Sequence, residues 1–179
     1  EERTQISRTF ERTPFIPSNK ADRERRCDEI LTIQAMGLKK RLAHTNARTA
    51  VVGISGGLDS TLALLVTARA FDMLGRDKKD IIAVTMPCFG TTDRTYQNAC
   101  EMSKKVGATL IEVPIADAVN VHFRDIGHDP EDHSVTYENC QARERTQVLM
   151  DIANKTWGMV IGTGDMSELA LGWATYNGD

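Results

Sequence analysis

Four short apolar runs, each separated from the next by a segment of helical character, place the strongest constraint on how this chain can fold. The runs span residues 50–54, 81–84, 110–113 and 158–162 and are rich in valine and isoleucine. Strands that alternate with helices at this spacing predict an α/β fold with a doubly wound parallel sheet and helices on both faces. Ligands of such sheets bind at the carboxyl ends of the strands, so functional residues are expected just after each run.

The segments between the runs carry the helical pattern. In the first of them, Leu31, Ala35, Leu38 and Leu42 recur at spacings of four and three residues. Further helices are predicted over 59–74, over about 93–106, over a short stretch ending at 123, over about 137–156, and from about 165 onward. The polar residues 124–136 include glycine and proline and predict a loop.

Composition excludes several classes of protein. The formal net charge is -3 and the pI is about 5.8, whereas a surface that binds nucleic acid is usually basic. The four cysteines form no CxxC pair, which argues against a zinc site or a disulfide framework and favours reduced thiols in a cytoplasmic protein. No apolar run approaches the roughly 20 residues of a membrane-spanning helix. A soluble enzyme or binding domain without nucleic-acid or membrane partners is therefore expected.

The loop after the first run is the motif with the clearest chemistry. It reads Ser-Gly-Gly-Leu-Asp-Ser over residues 55–60. Gly56 and Gly57 allow a tight turn, and their N–H groups, together with those of the next helix, predict a concave site for phosphate. The loop is not a Walker A motif, because it lacks the Gly-Lys-Ser/Thr sequence. Ser55 and Ser60 can add hydroxyl donors.

Asp59 is unusual in a phosphate-binding loop. A carboxylate beside phosphates is repelled unless a cation lies between them, which makes Asp59 a candidate ligand of Mg²⁺. The alternative is that Asp59 or Ser60 only caps the helix that follows.

The loop resembles the pyrophosphate loop of the N-type ATP pyrophosphatases, a group with a Rossmann-like fold. The group includes NAD synthetases, GMP synthetases, asparagine synthetases and some tRNA-modifying enzymes. The resemblance implies cleavage of ATP between the α and β phosphates and formation of an adenylate.

Two later segments decide among the members of this group. The first, Tyr-Glu-Asn-Cys-Gln-Ala-Arg-Glu-Arg over residues 137–145, places Asn139 and Arg143 on one helix face, although an exposed charged helix is the alternative. The second spans 162–179 and contains Thr163 and Glu168 at the end of the fourth run; a solvated residue or half of a helix cap is the alternative for Glu168. Together the two segments resemble NAD synthetases, especially the glutamine-dependent class, from about residue 14 to the end.

The resemblance implies a role for each matching position. The residues implied in ATP binding are Ser55, Gly56, Gly57, Asp59, Ser60, Met86 and Thr163, with Met86 near adenine. The residues implied in binding deamido-NAD are Asn139, Arg143, Glu168, Trp173, Thr175 and Tyr176. The implied Mg²⁺ ligands are Asp59 and Glu168, and no residue is implied as a general base.

The resemblance also implies a domain organisation and partners. Residues 1–19, which contain Pro14 and Pro17, are expected to be a linker from a glutaminase domain that this chain lacks. Residues 20–179 are expected to be the synthetase domain, ending early. The implied reaction makes NAD from deamido-NAD, ATP and ammonia derived from glutamine, in a homo-oligomer formed through the helix at 137–156.

Several alternatives remain open on the residues alone. The chain could be another ATP pyrophosphatase, such as a GMP synthetase, or a nucleotide-binding module without turnover. His122, His128 and His133 lie in or near the predicted loop and could be solvated or, by their spacing, part of a metal site.

Overall fold

The computed structural model describes residues 7–90 and 92–173. The helices are α1 (Lys20–Thr45), α2 (Leu58–Leu74), α3 (Asp93–Val106), α4 (Ala116–Ile126), α5 (Val135–Lys155) and α6 (Met166–Leu171). The strands are β1 (Ala50–Gly53), β2 (Ile81–Thr85), β3 (Thr109–Glu112) and β4 (Met159–Val160). Every predicted strand is therefore present, although β4 pairs through only two residues.

The described strands form one sheet in the order β3-β2-β1-β4, and every pair is parallel. The chain leaves β1 toward β2 and β3, and it returns through α4 and α5 to β4 on the other side of β1. The strand order therefore reverses between β1 and β4. In a doubly wound sheet, a reversal of this kind opens a crevice at the carboxyl ends of the two strands.

Both faces of the sheet are covered, which explains why the central strands are continuous apolar runs. Ala50 and Val52 of β1 pack in a core with residues of α1, α2 and α3. Val51, which points to the opposite face, packs with Ala153 of α5. The predicted α/β fold with a parallel sheet and helices on both faces is thus confirmed.

The first helix follows its predicted pattern. Asn19 caps α1 by accepting a hydrogen bond from the N–H group of Ala21 at 2.9 Å, which fixes where the helix begins. Ala35 and Leu42 are fully buried in the core that α1 shares with α2, and Leu38 packs beside them. None of the helices in the described part of the chain is long and apolar enough to cross a membrane.

The predicted loop over 124–136 is wrong at both of its ends. Helix α4 continues to Ile126 and stops at Gly127, whose φ of 69° closes the helix. Helix α5 then begins at Val135, with Ser134 in the N-cap position but without a capping hydrogen bond from its side chain. His122 consequently lies within α4. Residues 124–126 looked like loop because Arg and Asp dominate them, but polar residues are compatible with the exposed side of a helix.

Candidate active site

The loop after β1 is braced by its own hydroxyl groups. The Ser55 and Ser60 Oγ atoms lie 3.2 Å apart, the N–H group of Gly57 donates to Ser55 Oγ at 3.2 Å, and Ser60 Oγ donates to the Gly57 carbonyl oxygen at 3.2 Å. Ser60 is buried, whereas Asp59 is exposed. These bonds hold the turn in one shape before any ligand arrives.

Helix α2 begins within this loop, at Leu58, without a side-chain cap. Its N-cap residue is Gly57, and no side chain accepts the capping hydrogen bond. The alternative in which Asp59 or Ser60 caps α2 is therefore wrong. A helix N-terminus of this kind offers N–H groups and the positive end of the helix dipole to an anion.

Gly56 is held against a second helix. Its φ is +80°, a conformation that favours glycine, and a Cβ at this position would lie 2.1 Å from the carbonyl oxygen of Thr95 in α3. The loop therefore has its shape because it fits against the first turn of α3 as well as between β1 and α2.

A cavity of about 1060 Å³ opens at the carboxyl ends of β1, β2 and β4. Its walls come from the loop, the segment after β2, the first turn of α3, one side of α5, and the segment from β4 into α6. Functional residues were expected after all four strands. Among the described residues that line the cavity, none comes from β3 or the segment after it, so three of the four strands contribute their carboxyl ends to the cavity.

Seven predicted site residues meet in this cavity. They are Ser55, Asp59, Ser60, Met86, Thr163, Glu168 and Trp173. Gly56 and Gly57 shape the loop beside them without lining the cavity themselves. Thr175 and Tyr176 lie outside the described residues.

Asn139 and Arg143 are the predicted site residues that the structure places elsewhere. They lie on α5, but neither lines the cavity along the described residues. Asn139 is buried and Arg143 is exposed. Their role in binding deamido-NAD stays a prediction and would require a ligand that reaches beyond the cavity.

The side of α5 that faces the cavity carries residues that sequence reasoning missed. Glu138, Gln141, Arg145 and Leu149 all line the cavity and recur every three or four residues. That spacing was visible in the sequence. Which face of the helix points to the site was not visible, because it depends on how α5 packs on the sheet.

Glu168 takes part in a capping box at the start of α6. Its backbone N–H donates to Asp165 Oδ1 at 2.8 Å, and its own Oε2 accepts from the N–H of Asp165 at 2.8 Å. The capping alternative for Glu168 is therefore correct as a description of its contacts. The box also fixes the carboxylate at the edge of the cavity.

The first turn of α3 contributes Tyr96 to the cavity wall. Its hydroxyl donates to Glu112 Oε2 at 2.5 Å, and this hydrogen bond raises the pKa of Tyr96 above the ordinary value for tyrosine. The same hydrogen bond ties α3 to the end of β3.

Aromatic rings close the end of the cavity near β2. The centroids of Phe89 and Phe123 lie 5.7 Å and 5.6 Å from that of Tyr137. His133 stacks on Tyr137 at 4.3 Å, and His128 lies 4.8 Å from Phe123. His133 stays exposed to solvent although it stacks on Tyr137, and His128 is half-buried beside Phe123. No group of three or more His, Cys, Asp or Glu side chains in the described structure could hold a metal ion.

Known proteins resemble this chain in both sequence and fold. The model of the NAD synthase family matches residues 30–179. A glutamine-dependent NAD(+) synthetase from Mycobacterium leprae is 45% identical over 175 residues, covering 96% of this chain and 26% of the relative. One from Thermotoga maritima is 31% identical over 85% of this chain and 26% of the relative. This chain thus spans about a quarter of the length of these curated relatives.

The fold is shared with a solved structure. A glutamine-dependent NAD+ synthetase from Acinetobacter baumannii, solved in complex with ADP, superposes with a TM-score of 0.76 at 29% identity, covering 84% of this chain and 28% of the other. The family match covers the phosphate loop, the cavity side of α5 and the segment from β4 into α6. This chain belongs to the NAD synthase family.

Proposed function

We propose that this chain binds ATP in the cavity and uses it to convert deamido-NAD into NAD, with ammonia derived from glutamine. One observation carries the proposal: the loop at 55–60 and the residues Thr163 and Glu168 of a distant segment face one cavity where the strand order reverses. The family membership and the names of the relatives support the choice of substrate.

The reaction proceeds in two steps. An oxygen of the nicotinate carboxylate attacks the α-phosphorus of ATP, the bond to the bridging oxygen breaks, and pyrophosphate leaves. Ammonia then attacks the carbonyl carbon of the acyl-adenylate and loses a proton, and AMP leaves with the electrons of the broken acyl–oxygen bond. The loop N–H groups and the Ser55 and Ser60 hydroxyls stabilise the charge that develops on pyrophosphate.

Asp59 and Glu168 are the residues we assign to Mg²⁺. Two carboxylates in one cavity fit this ion, which commonly binds through one or two carboxylates together with substrate phosphates and water. Bound there, Mg²⁺ would neutralise phosphate charge. The two carboxylates would hold it between the loop and α6.

Asn139, Arg143 and Trp173 are the described residues that we assign to deamido-NAD. Trp173 lies at the cavity edge and is 65% exposed, so its indole is available to a planar ring. Arg143 is exposed on the other side of α5, where a guanidinium suits a phosphate or carboxylate. We also propose that the protein forms a homo-oligomer through this helix. Binding of a ligand on both sides of α5 is compatible with that arrangement.

The source of ammonia and the compartment complete the proposal. A glutaminase domain of the same polypeptide, connected through residues 1–19, would supply ammonia; the names of the relatives support glutamine as the donor. None of the four cysteines forms a disulfide in the described structure, which suits the reducing cytoplasm.

Calorimetric titration, together with an assay of pyrophosphate release, tests the substrate assignment. With ATP and Mg²⁺ present, the protein is expected to bind deamido-NAD and to release pyrophosphate in proportion to it. A nucleotide-binding module without turnover would bind ATP and ignore deamido-NAD. A GMP synthetase-like enzyme would respond to xanthosine monophosphate instead. Either of these outcomes would overturn the proposal.

Glu168 variants separate its helix-capping contact from the proposed metal role. Glu168→Gln keeps an oxygen that can accept the Asp165 N–H but removes the charge, so we expect an intact fold and a loss of pyrophosphate release on the order of 100-fold or more. Glu168→Ala also removes the acceptor of the Asp165 N–H, which is half of the capping box, and costs α6 roughly 0.5–1.5 kcal/mol for this hydrogen bond. Near-normal turnover of Glu168→Gln would show that the carboxylate only caps the helix.

A further inference from the structure

Arg145 is the one lysine or arginine among the described residues that line the cavity. Three carboxylates line it as well, those of Asp59, Glu138 and Glu168. Arg145 is half-buried, and it takes part in none of the ion pairs found in residues 7–90 and 92–173. Among the described residues of the cavity wall, Arg145 is therefore the one side chain with a permanent positive charge that can bind an anionic ligand.

The packing of α5 fixes where this cation lies. Leu149, one helical turn beyond Arg145, packs over the end of β1, where a Cβ on Gly53 would be 2.9 Å from Leu149 Cδ1. Along the axis of α5, Arg145 therefore lies roughly 6 Å closer than Leu149 to the N-terminus of the helix. Helix α5 begins at the same edge of the sheet as the carboxyl ends of the strands, so Arg145 lies toward the cavity mouth.

Met86 and Phe89 of the segment that follows β2 line the same cavity as Arg145. Burial raises the pKa of the Cys88 thiol, while the Phe89 backbone and the charge of Arg145 act against that rise. The charge of Arg145 therefore acts on a residue two positions beyond Met86. Arg145 shares the cavity wall with residues that leave β1, which carries the phosphate loop, and with Met86, which leaves β2.

We propose that Arg145 binds the α-phosphate of ATP and of the acyl-adenylate. This inference rests on the proposed function, which places pyrophosphate on the loop and adenine near Met86. The α-phosphate connects these two ends of the nucleotide, and Arg145 lines the cavity that both sites share. A guanidinium can donate two parallel hydrogen bonds to phosphate, and it keeps its charge throughout the reaction. Arg145 would thus stabilise the phosphate group that remains on AMP after pyrophosphate has left.

Binding of the separate parts of ATP tests this assignment. In Arg145→Ala, we expect the affinity for AMP to fall about 10- to 100-fold, as for loss of a charge-assisted hydrogen bond to phosphate. The affinities for adenosine and for pyrophosphate with Mg²⁺ should stay within about twofold of the unmodified protein. Arg145→Lys keeps the charge but lacks the forked guanidinium group. Its affinity for AMP should therefore lie between those of the unmodified protein and Arg145→Ala.

Lys155→Ala is the matched control, because it removes one positive charge from the far end of the same helix. It should bind all three ligands normally. Unchanged AMP affinity in Arg145→Ala, or an equal loss for pyrophosphate, would overturn the assignment. The proposed function fails separately: if the unmodified protein releases no pyrophosphate with deamido-NAD while Arg145→Ala still loses AMP affinity, only the overall reaction is wrong.

Discussion

Asp59→Asn is expected to reduce pyrophosphate release from ATP and deamido-NAD by about 1000-fold, at the upper end of the effect of removing one group that stabilises transition-state charge. The substitution preserves size and removes only the charge. Asp59 is exposed in the first turn of α2 and makes no cap there, so the free energy of unfolding should change little. Release is measured with Mg²⁺ in excess.

The control for Asp59 comes from the other end of the same helix. Asp72→Asn removes a carboxylate whose partner is Lys78 at 3.0 Å on the surface, so it should cost less than about 1 kcal/mol and leave turnover intact. If Asp59→Asn retained near-normal turnover, the assignment of Asp59 to Mg²⁺ would be wrong. If both variants lost turnover, the loss would be due to the total charge of α2 and not to Asp59 in particular.

Gly56→Ala is expected to lose about 2–5 kcal/mol of unfolding free energy and to abolish ATP binding. About 1–2 kcal/mol comes from placing a side chain at a φ of +80°. A further 1–3 kcal/mol or so comes from forcing a methyl group against Thr95 O, which lies 2.1 Å from the added carbon. The loop or α3 must move, and either movement changes the phosphate site. Urea denaturation and ATP titration measure the two effects.

Gly75→Ala isolates the conformational part of that loss. Gly75 ends α2 with a φ of +64°, and no atom lies within 4 Å of a Cβ at this position. We expect this variant to lose only about 1–2 kcal/mol and to bind ATP normally. If Gly56→Ala and Gly75→Ala were equally destabilised, α3 would move away from the added methyl group without a cost in free energy. The contact with Thr95 would then not shape the loop.

The central strands and the phosphate loop could be predicted because their signals are local. Val51 and Val52 belong to a run buried on both faces, and such runs are apolar throughout. The glycines and Asp59 adjoin one another in sequence, so their chemistry can be interpreted without the fold. Edge strand β4 was predicted too long, because only Met159 and Val160 are in register with β1, and beyond them the Ile161 N–H group alone donates to the Val51 carbonyl oxygen among the described residues.

The rest of the candidate site depends on packing between distant segments. The contact of Gly56 with Thr95 joins positions 39 residues apart, and no local pattern announces it. On α5, the sequence favoured Asn139 and Arg143 through a family resemblance. The structure brings Arg145 to the cavity instead, since the packing of Leu149 over Gly53 decides which face of the helix is turned inward.

Helix α5 has a length that cannot easily change. One of its faces lines the cavity through Glu138 and Arg145, and another exposes Arg143. A single residue inserted near Ala142 would rotate everything beyond it by about 100°. Arg145 would turn away from the cavity, and Leu149 would leave its place over β1. The turn at 127–134 can absorb insertions without this rotation, so changes of length in this part of the protein are restricted to the turn that precedes α5.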